Sequence, residues 1–251
     1  MEKAVDRLHR AVEEGEQICF YGDYDVDGIS ATSLHLAFFS KLGIKPDIYI
    51  PHREDEGYGL NIEAIKKLAD QGISVLITSD CGTTSYQEIE LANSFGIDVI
   101  VTDHHQIQHE FPKAFAFVNP YRKDSTYPFQ GLCSGGLAYK LVEAYALKYQ
   151  ITKDSFEGYR DLVALATIAD MVPLQDENRF IVRDGLAQIT KGSRCGIRAL
   201  KQVLGITETC SANTVGFRLA PVINAAGRLA HGELGVRLLI SESEYLSLIH
   251  I

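Results

Sequence analysis

Short apolar runs punctuate the first half of the chain: ICFYG (18–22), DIYI (47–50), SVLITS (74–79), DVIVT (98–102) and AFAFVN (114–119). Amphipathic stretches near 29–42, 61–70 and 85–95 fill the gaps between them. A strand buried on both faces loses its polar alternation, and parallel neighbours need a helical crossover, so this pattern predicts βαβ units. Junction residues agree. Asn61 is placed to cap a helix that carries Glu63 in its first turn, and Gly43, Gly72 and Gly96 stand where helices should stop. The leading stretch MEKAVDRLHRAVEEGEQ predicts one more helix, charged and amphipathic.

After residue 133 the strand signal fades. Helical periodicity is read near 135–149, 157–169, 179–190, 196–204 and 231–240. The expected fold is therefore α/β, a doubly wound and mainly parallel sheet with helices on both faces, followed by a helical C-terminal segment. We expect an α/β domain over 1–195, strand-rich over 1–120 and helical over 133–195, with a helical segment over 196–251. The ending EYLSLIHI breaks off in an apolar stretch, which suggests a chain cut short or closing residues that are not native.

Hydrophobic content of 46% and charged content of 23% are ordinary for a globular protein. No apolar run approaches the roughly 20 residues of a membrane span, and no secretory apolar core opens the chain. We expect a cytoplasmic protein, with no membrane contact and five reduced cysteines that form no C-x-x-C pair. The net charge of −9 argues against a broad basic surface for nucleic acid. That objection weakens if several acids hold cations, whose charge offsets theirs.

The acids fall where such a sheet would use them. ICFYG runs into DYDVDG with Asp23, Asp25 and Asp27, SVLITS runs into Asp80, and DVIVT runs into Asp103-His104-His105. Open parallel sheets bind ligands at the carboxyl ends of their strands, so three strands deliver acids and imidazoles to one edge. A fourth acid, Asp170, ends the apolar stretch LVALATIAD. Carboxylates so crowded repel one another unless cations neutralise them. Oxygen ligands with an imidazole suit Mn²⁺ or Mg²⁺, and two such ions can activate water against a phosphoester. Two rivals fit less well. An EF-hand loop starting at DYDVDG would need an acid where Leu34 stands, and an aspartyl-phosphate phosphatase leaves Asp103-His104-His105 without a role.

In order and spacing, GDYDVDG, SDCGTTS, TDHH and ADMVPL resemble the four motifs of the DHH phosphoesterase superfamily. PHREDEGYGL (51–60) and APVINAAGRL (220–229) resemble its RecJ branch of single-strand-specific 5′→3′ DNA exonucleases. The resemblance implies that Asp25, Asp27, Asp80, His104 and Asp170 hold two Mn²⁺ or Mg²⁺ ions, with Asp80 between them and Asp23 close by. It implies that His105 faces the scissile phosphate, that Asp103 orients the histidines, and that Arg53, Arg228 and Asn224 contact substrate. Tyr21 stands where some relatives carry a histidine. The implied activity is exonucleolytic hydrolysis of single-stranded DNA from its 5′ end, by a monomer; any helicase or single-strand-binding partner is unknown. A phosphatase for short oligonucleotides and a non-enzymatic scaffold of the same fold are the alternatives. The resemblance also implies a second domain after the helical segment.

Overall fold

A computed structural model of the chain describes residues 1–229, 231–243 and 247, without the side chains of 226–229. Most of EYLSLIHI, and the side chain of Arg228, therefore lie outside the described residues.

Five strands form one wholly parallel sheet: β1 (Ile18–Gly22), β2 (Asp47–Tyr49), β3 (Val75–Ser79), β4 (Asp98–Thr102) and β5 (Ala116–Val118), in the order β2-β1-β3-β4-β5. β1 and β3 are buried along their whole length, which is why their sequences are unbroken apolar runs. Alternate strand residues serve opposite faces. Ile18, Phe20, Val75, Ile77 and Ile100 pack under α1 (Glu2–Glu14), α2 (Val26–Lys41) and α5 (Ser134–Lys148). Cys19, Tyr21, Leu76, Val99 and Val101 pack under α3 (Ile62–Asp70) and α4 (Tyr86–Ser94). Asn61 caps α3 as its sequence suggested, its side-chain oxygen accepting from the Ala64 N–H at 2.7 Å. The doubly wound expectation holds.

The remaining helices are α6 (Asp154–Glu157), α7 (Arg160–Ala169), α8 (Asp176–Lys191), α9 (Cys195–Val203), α10 (Ala212–Thr214), α11 (Ala220–Leu229) and α12 (Glu233–Ile240). Ile197, Leu200, Ile223, Val236 and Leu239 join the same core as α2 and α5. All five cysteines are free thiols, four of them buried. Among the described residues no helix is long and apolar enough to cross a membrane.

Two segments differ from the pattern reading. The helix expected near 157–169 is α7, which starts three residues later, and a short helix not expected, α6, precedes it across Gly158. The stretch 212–229, to which the sequence pattern assigned no element, is helical throughout, with a π-helical turn at Val215–Leu219 joining α10 to α11. Pro221 lacks an N–H and its ring crowds the carbonyl four residues back, which normally ends a helix. The wider π-turn lies just before it and loosens that crowding.

Candidate metal centre

The strand register builds the site. Gly22, Ser79, Thr102 and Val118 stand in one row across β1, β3, β4 and β5. The next residues along are Asp23, Asp80, Asp103 and Asn119, and the ladder continues through them. The Asp23 N–H donates to the Ser79 carbonyl at 3.2 Å, the Asp80 N–H to the Thr102 carbonyl at 3.2 Å, and the Asp103 N–H to the Val118 carbonyl at 3.1 Å. Adjacent strands are about 4.8 Å apart, so side chains in one row are neighbours. The row crosses the gap between β1 and β3, where the doubly wound order reverses and the carboxyl edge opens a crevice.

Local devices aim each group. After β1 the chain curls so tightly that a Cβ on Gly28 would come within 2.6 Å of the Asp23 backbone nitrogen, so only glycine fits. The curl lets Asp25 cap α2, its Oδ1 accepting from the N–H groups of Asp27 (2.9 Å) and Gly28 (3.1 Å). Asp80 holds φ at 69°, a left-handed conformation uncommon for a residue with a side chain. The Tyr58 hydroxyl donates to the Asp80 carbonyl at 2.7 Å across the strand end.

Four motifs then meet. The His104 Nε2 lies 3.2 Å from Asp80 Oδ1, 3.6 Å from Asp27 Oδ2 and 3.7 Å from Asp170 Oδ2. Ligand-type atoms of Asp27, His104 and Asp170 fall within 4.8 Å of one another, as do those of Asp23, Asp25 and Asp80, and those of Asp80, His104 and His105. His105 sits at the rim, its Nδ1 2.6 Å from Asp103 Oδ1 and 3.3 Å from the Tyr58 hydroxyl. Asp103 also accepts from the Thr83 N–H at 2.9 Å. Asn119 donates to the His105 carbonyl at 2.9 Å and to the Thr83 hydroxyl at 3.2 Å, tying the Asp103-His104-His105 loop to the sheet edge.

Without a counter-charge the cluster is electrostatically unfavourable. Burial and then Asp25 push the Asp23 carboxyl up to about 7. Burial, then Asp25 and Asp170, push Asp27 up to about 8, and burial with Asp25 takes Asp170 to about 6. Asp80 is raised too, by burial and by Asp27 and Asp25. His104 is pushed down to about 4, chiefly by burial, so it stays neutral with a lone pair to give. Asp103 differs. Burial acts to raise it, but hydrogen bonds from His105 and Thr83 outweigh that and bring it to about 2. Asp23 Oδ1 is buried with no hydrogen-bond partner among the described residues. An orphaned carboxylate oxygen, crowded acids and a neutral imidazole are what hard divalent cations satisfy.

The residues expected to contact substrate are placed differently. Arg53 is exposed on the loop after β2, its guanidinium 5.1 Å from the centre of the Tyr24 ring, between Asp23 and Asp25 in sequence. Asn224 reaches the same loop by another route, its side-chain oxygen accepting from the Val26 N–H at 3.0 Å. That contact anchors α11 to the start of α2. Tyr21 is turned away from the cluster, stacked on Tyr49 in the opposite core with its hydroxyl donating to the Gly59 carbonyl at 2.8 Å. Pattern reading passed over Ser134, Thr83 and Asn119. Asn119 alone had a readable signal, since FVN ends its strand as SD and TD end theirs.

Fold and site together define a doubly wound α/β protein whose acids and histidines converge at the switch point of its sheet. Residues 17–167 match the DHH family, N-terminal domain, and the chain belongs to that family. It is 41% identical over 247 residues to the single-stranded-DNA-specific exonuclease RecJ of Bacillus subtilis, covering 98% of this chain and 30% of that protein. It is 36% identical over 255 residues to the protein of the same name from Escherichia coli, covering 97% of this chain and 44% of that one. A crystal structure of exonuclease RecJ bound to manganese superposes with a TM-score of 0.90 at 33% identity, over 99% of this chain and 62% of the other. RecJ from Thermus thermophilus in complex with Mn²⁺ gives 0.85 at 31%, over 99% of this chain and 36% of the other. The chain spans less than half the length of the two curated relatives.

Proposed function

We propose that this chain is the catalytic portion of a divalent-cation-dependent exonuclease that hydrolyses single-stranded DNA from the 5′ end. The observation that carries the reading is one pair of three-donor groups, Asp27/His104/Asp170 and Asp23/Asp25/Asp80, side by side above the β1/β3 gap with Asp80 Oδ1 3.2 Å from His104. Relatives of the same family that bind manganese and act on single-stranded DNA support it. Two Mn²⁺ or Mg²⁺ ions held there would supply Lewis acidity toward a phosphoryl oxygen and acidify a water.

The chain's own residues have distinct parts in this reading. Asp25, Asp27, Asp80, His104 and Asp170 hold the cations, with Asp80 shared, and Asp23 completes the donor set. Asp103 fixes the His105 ring at the rim, where it faces the phosphate to be cleaved. Arg53, above Tyr24, and Arg228 hold backbone phosphates; a guanidinium matches phosphate geometry. Asn224 keeps the loop that carries Tyr24 in place. The division into a catalytic α/β domain over 1–195 and a segment over 196–251 leading to a second domain belongs to the same proposal, as do monomeric action and a cytoplasmic location.

Net charge of −9 leaves little long-range attraction for a polyanion, which favours weak grip on long strands by this portion alone. The test is incubation with Mn²⁺ and 5′- or 3′-labelled single strands of graded length. Mononucleotides released first from the 5′ end of long strands support the exonuclease. Turnover confined to the shortest strands supports the phosphatase reading, and no turnover with any cation sinks both.

A further inference from the structure

We propose that Ser134, at the start of α5, is a positioning residue that presets the two acid groups before any cation arrives. The inference rests on the reading of the cluster as a two-cation centre and adds to it a residue from outside the four motifs. Ser134 is fully buried, and its hydroxyl donates to Asp80 Oδ1 at 3.0 Å. Its backbone N–H donates to Asp27 Oδ2 at 2.7 Å, and the Gly135 N–H donates to Asp27 Oδ1 at 2.7 Å. One turn of helix therefore grips a carboxylate from each acid group.

The chemistry favours this placement. The first N–H groups of a helix have no partner within it, and the partial positive charge there attracts anions. Asp27, 1% exposed, spends both oxygens on those two N–H groups and can no longer rotate about its last bond. Each oxygen keeps a second lone pair facing the cluster. Among the described residues Asp80 has no such backbone clamp on its carboxyl, and the Ser134 hydroxyl is the hydrogen-bond donor that holds Oδ1 beside His104. Repulsion from Asp27 and Asp25 would otherwise swing the Asp80 side chain away and make each cation rebuild its own cage. Groups that orient a ligand from behind normally matter by about 10–100-fold in metal affinity.

The distinguishing variant is Ser134→Ala. It removes only the hydroxyl and leaves the two N–H donors to Asp27 in place. Mn²⁺ binding to the metal-free chain is followed by titration calorimetry and by the free-Mn²⁺ paramagnetic resonance signal, with thermal melting in chelator alongside. We expect Mn²⁺ to bind roughly tenfold or more weakly in Ser134→Ala, at both positions because Asp80 is shared between them, and the metal-free melting temperature to stay near the parent's. Parental binding of both ions by Ser134→Ala overturns the inference and leaves the cation centre standing. The same weakening together with a large fall in the metal-free melting temperature also overturns it, because that is a packing defect. A parent chain that binds no Mn²⁺ overturns the centre and this inference together.

Discussion

Single residues at the site do opposing work on stability and on chemistry, and that opposition can be measured. Asp80 is buried at 3% exposure, in a left-handed backbone, among acids that raise its carboxyl. Such strain persists at functional sites because the surroundings enforce it. Asp80→Asn keeps the shape and the Ser134 contact but removes a buried charge. Turnover should fall by more than the roughly 100-fold typical of a group acting from behind a ligand. The metal-free protein should at the same time melt higher. A variant that loses turnover and melts lower would assign Asp80 to structure alone. Arg53 is the contrasting case, exposed and packed against the Tyr24 ring. Arg53→Ala should weaken single-strand binding and flatten its salt dependence by about one phosphate contact, leaving Mn²⁺ affinity unchanged. A parental salt slope would remove Arg53 from the substrate path. Residues of this kind were legible in the sequence because carboxylates and imidazoles at strand ends have few bland explanations. Ser134 and Thr83 were not, since each acquires its role only through the acid it meets 54 or 20 residues away.

At the scale of elements, register does most of the positioning. Short apolar runs disclosed the strands, and the acids that follow them disclosed the edge, but order within the sheet was not written in any one run. Order decides the outcome: β1 and β3 are neighbours, so Asp23 and Asp80 become neighbours. α5 is the other decisive element, and its approach depends on a missing side chain. A Cβ on Gly135 would stand 2.4 Å from the Ala166 Cβ of α7 and 3.3 Å from Asp27 Oδ1. The carboxylate that α5 grips belongs to a distant motif. Gly135→Ala should force α5 and α7 apart, costing about 1–3 kcal/mol in urea unfolding, with Mn²⁺ affinity falling as well. Gly136→Ala first meets the flexible Leu132 side chain, at 3.1 Å, and should cost less. If the two variants unfold alike, the α5–α7 approach is not what fixes the cluster. Helix α11 escaped pattern reading for a related reason, because Pro221 masks a helix that the π-turn before it makes tolerable.

For the whole molecule, the cluster links stability to both protons and cations, with slopes that separate the metal-free and metal-bound states. Asp23, Asp27 and Asp170 titrate near 7, 8 and 6 in the folded chain against 3.8 as the ordinary value. A carboxyl raised on folding contributes stability that is complete below its unfolded pKa and is lost as pH climbs through the folded one. In chelator, the melting temperature should therefore fall between pH 6.5 and 8.5, the upper part of that range. Below pH 6.5 one group pulls the other way. His35 is wholly buried and pushed down to about 3, so the stability it lends is present above its ordinary 6.5 and is lost as pH falls toward 3. One histidine offsets only one of the three raised acids, so the metal-free protein should go on gaining stability as pH falls toward 3.8. Divalent cations compete with those same protons, so saturating Mn²⁺ should flatten the slope above pH 6.5 and, at about 100 times its dissociation constant, add about 2.7 kcal/mol for each ion held. Differential scanning calorimetry at matched ionic strength reads both slopes. A metal-free melting temperature that stays level from pH 6.5 to 8.5, or a slope that Mn²⁺ leaves untouched, would mean the acids are too well solvated or too far apart to share cations.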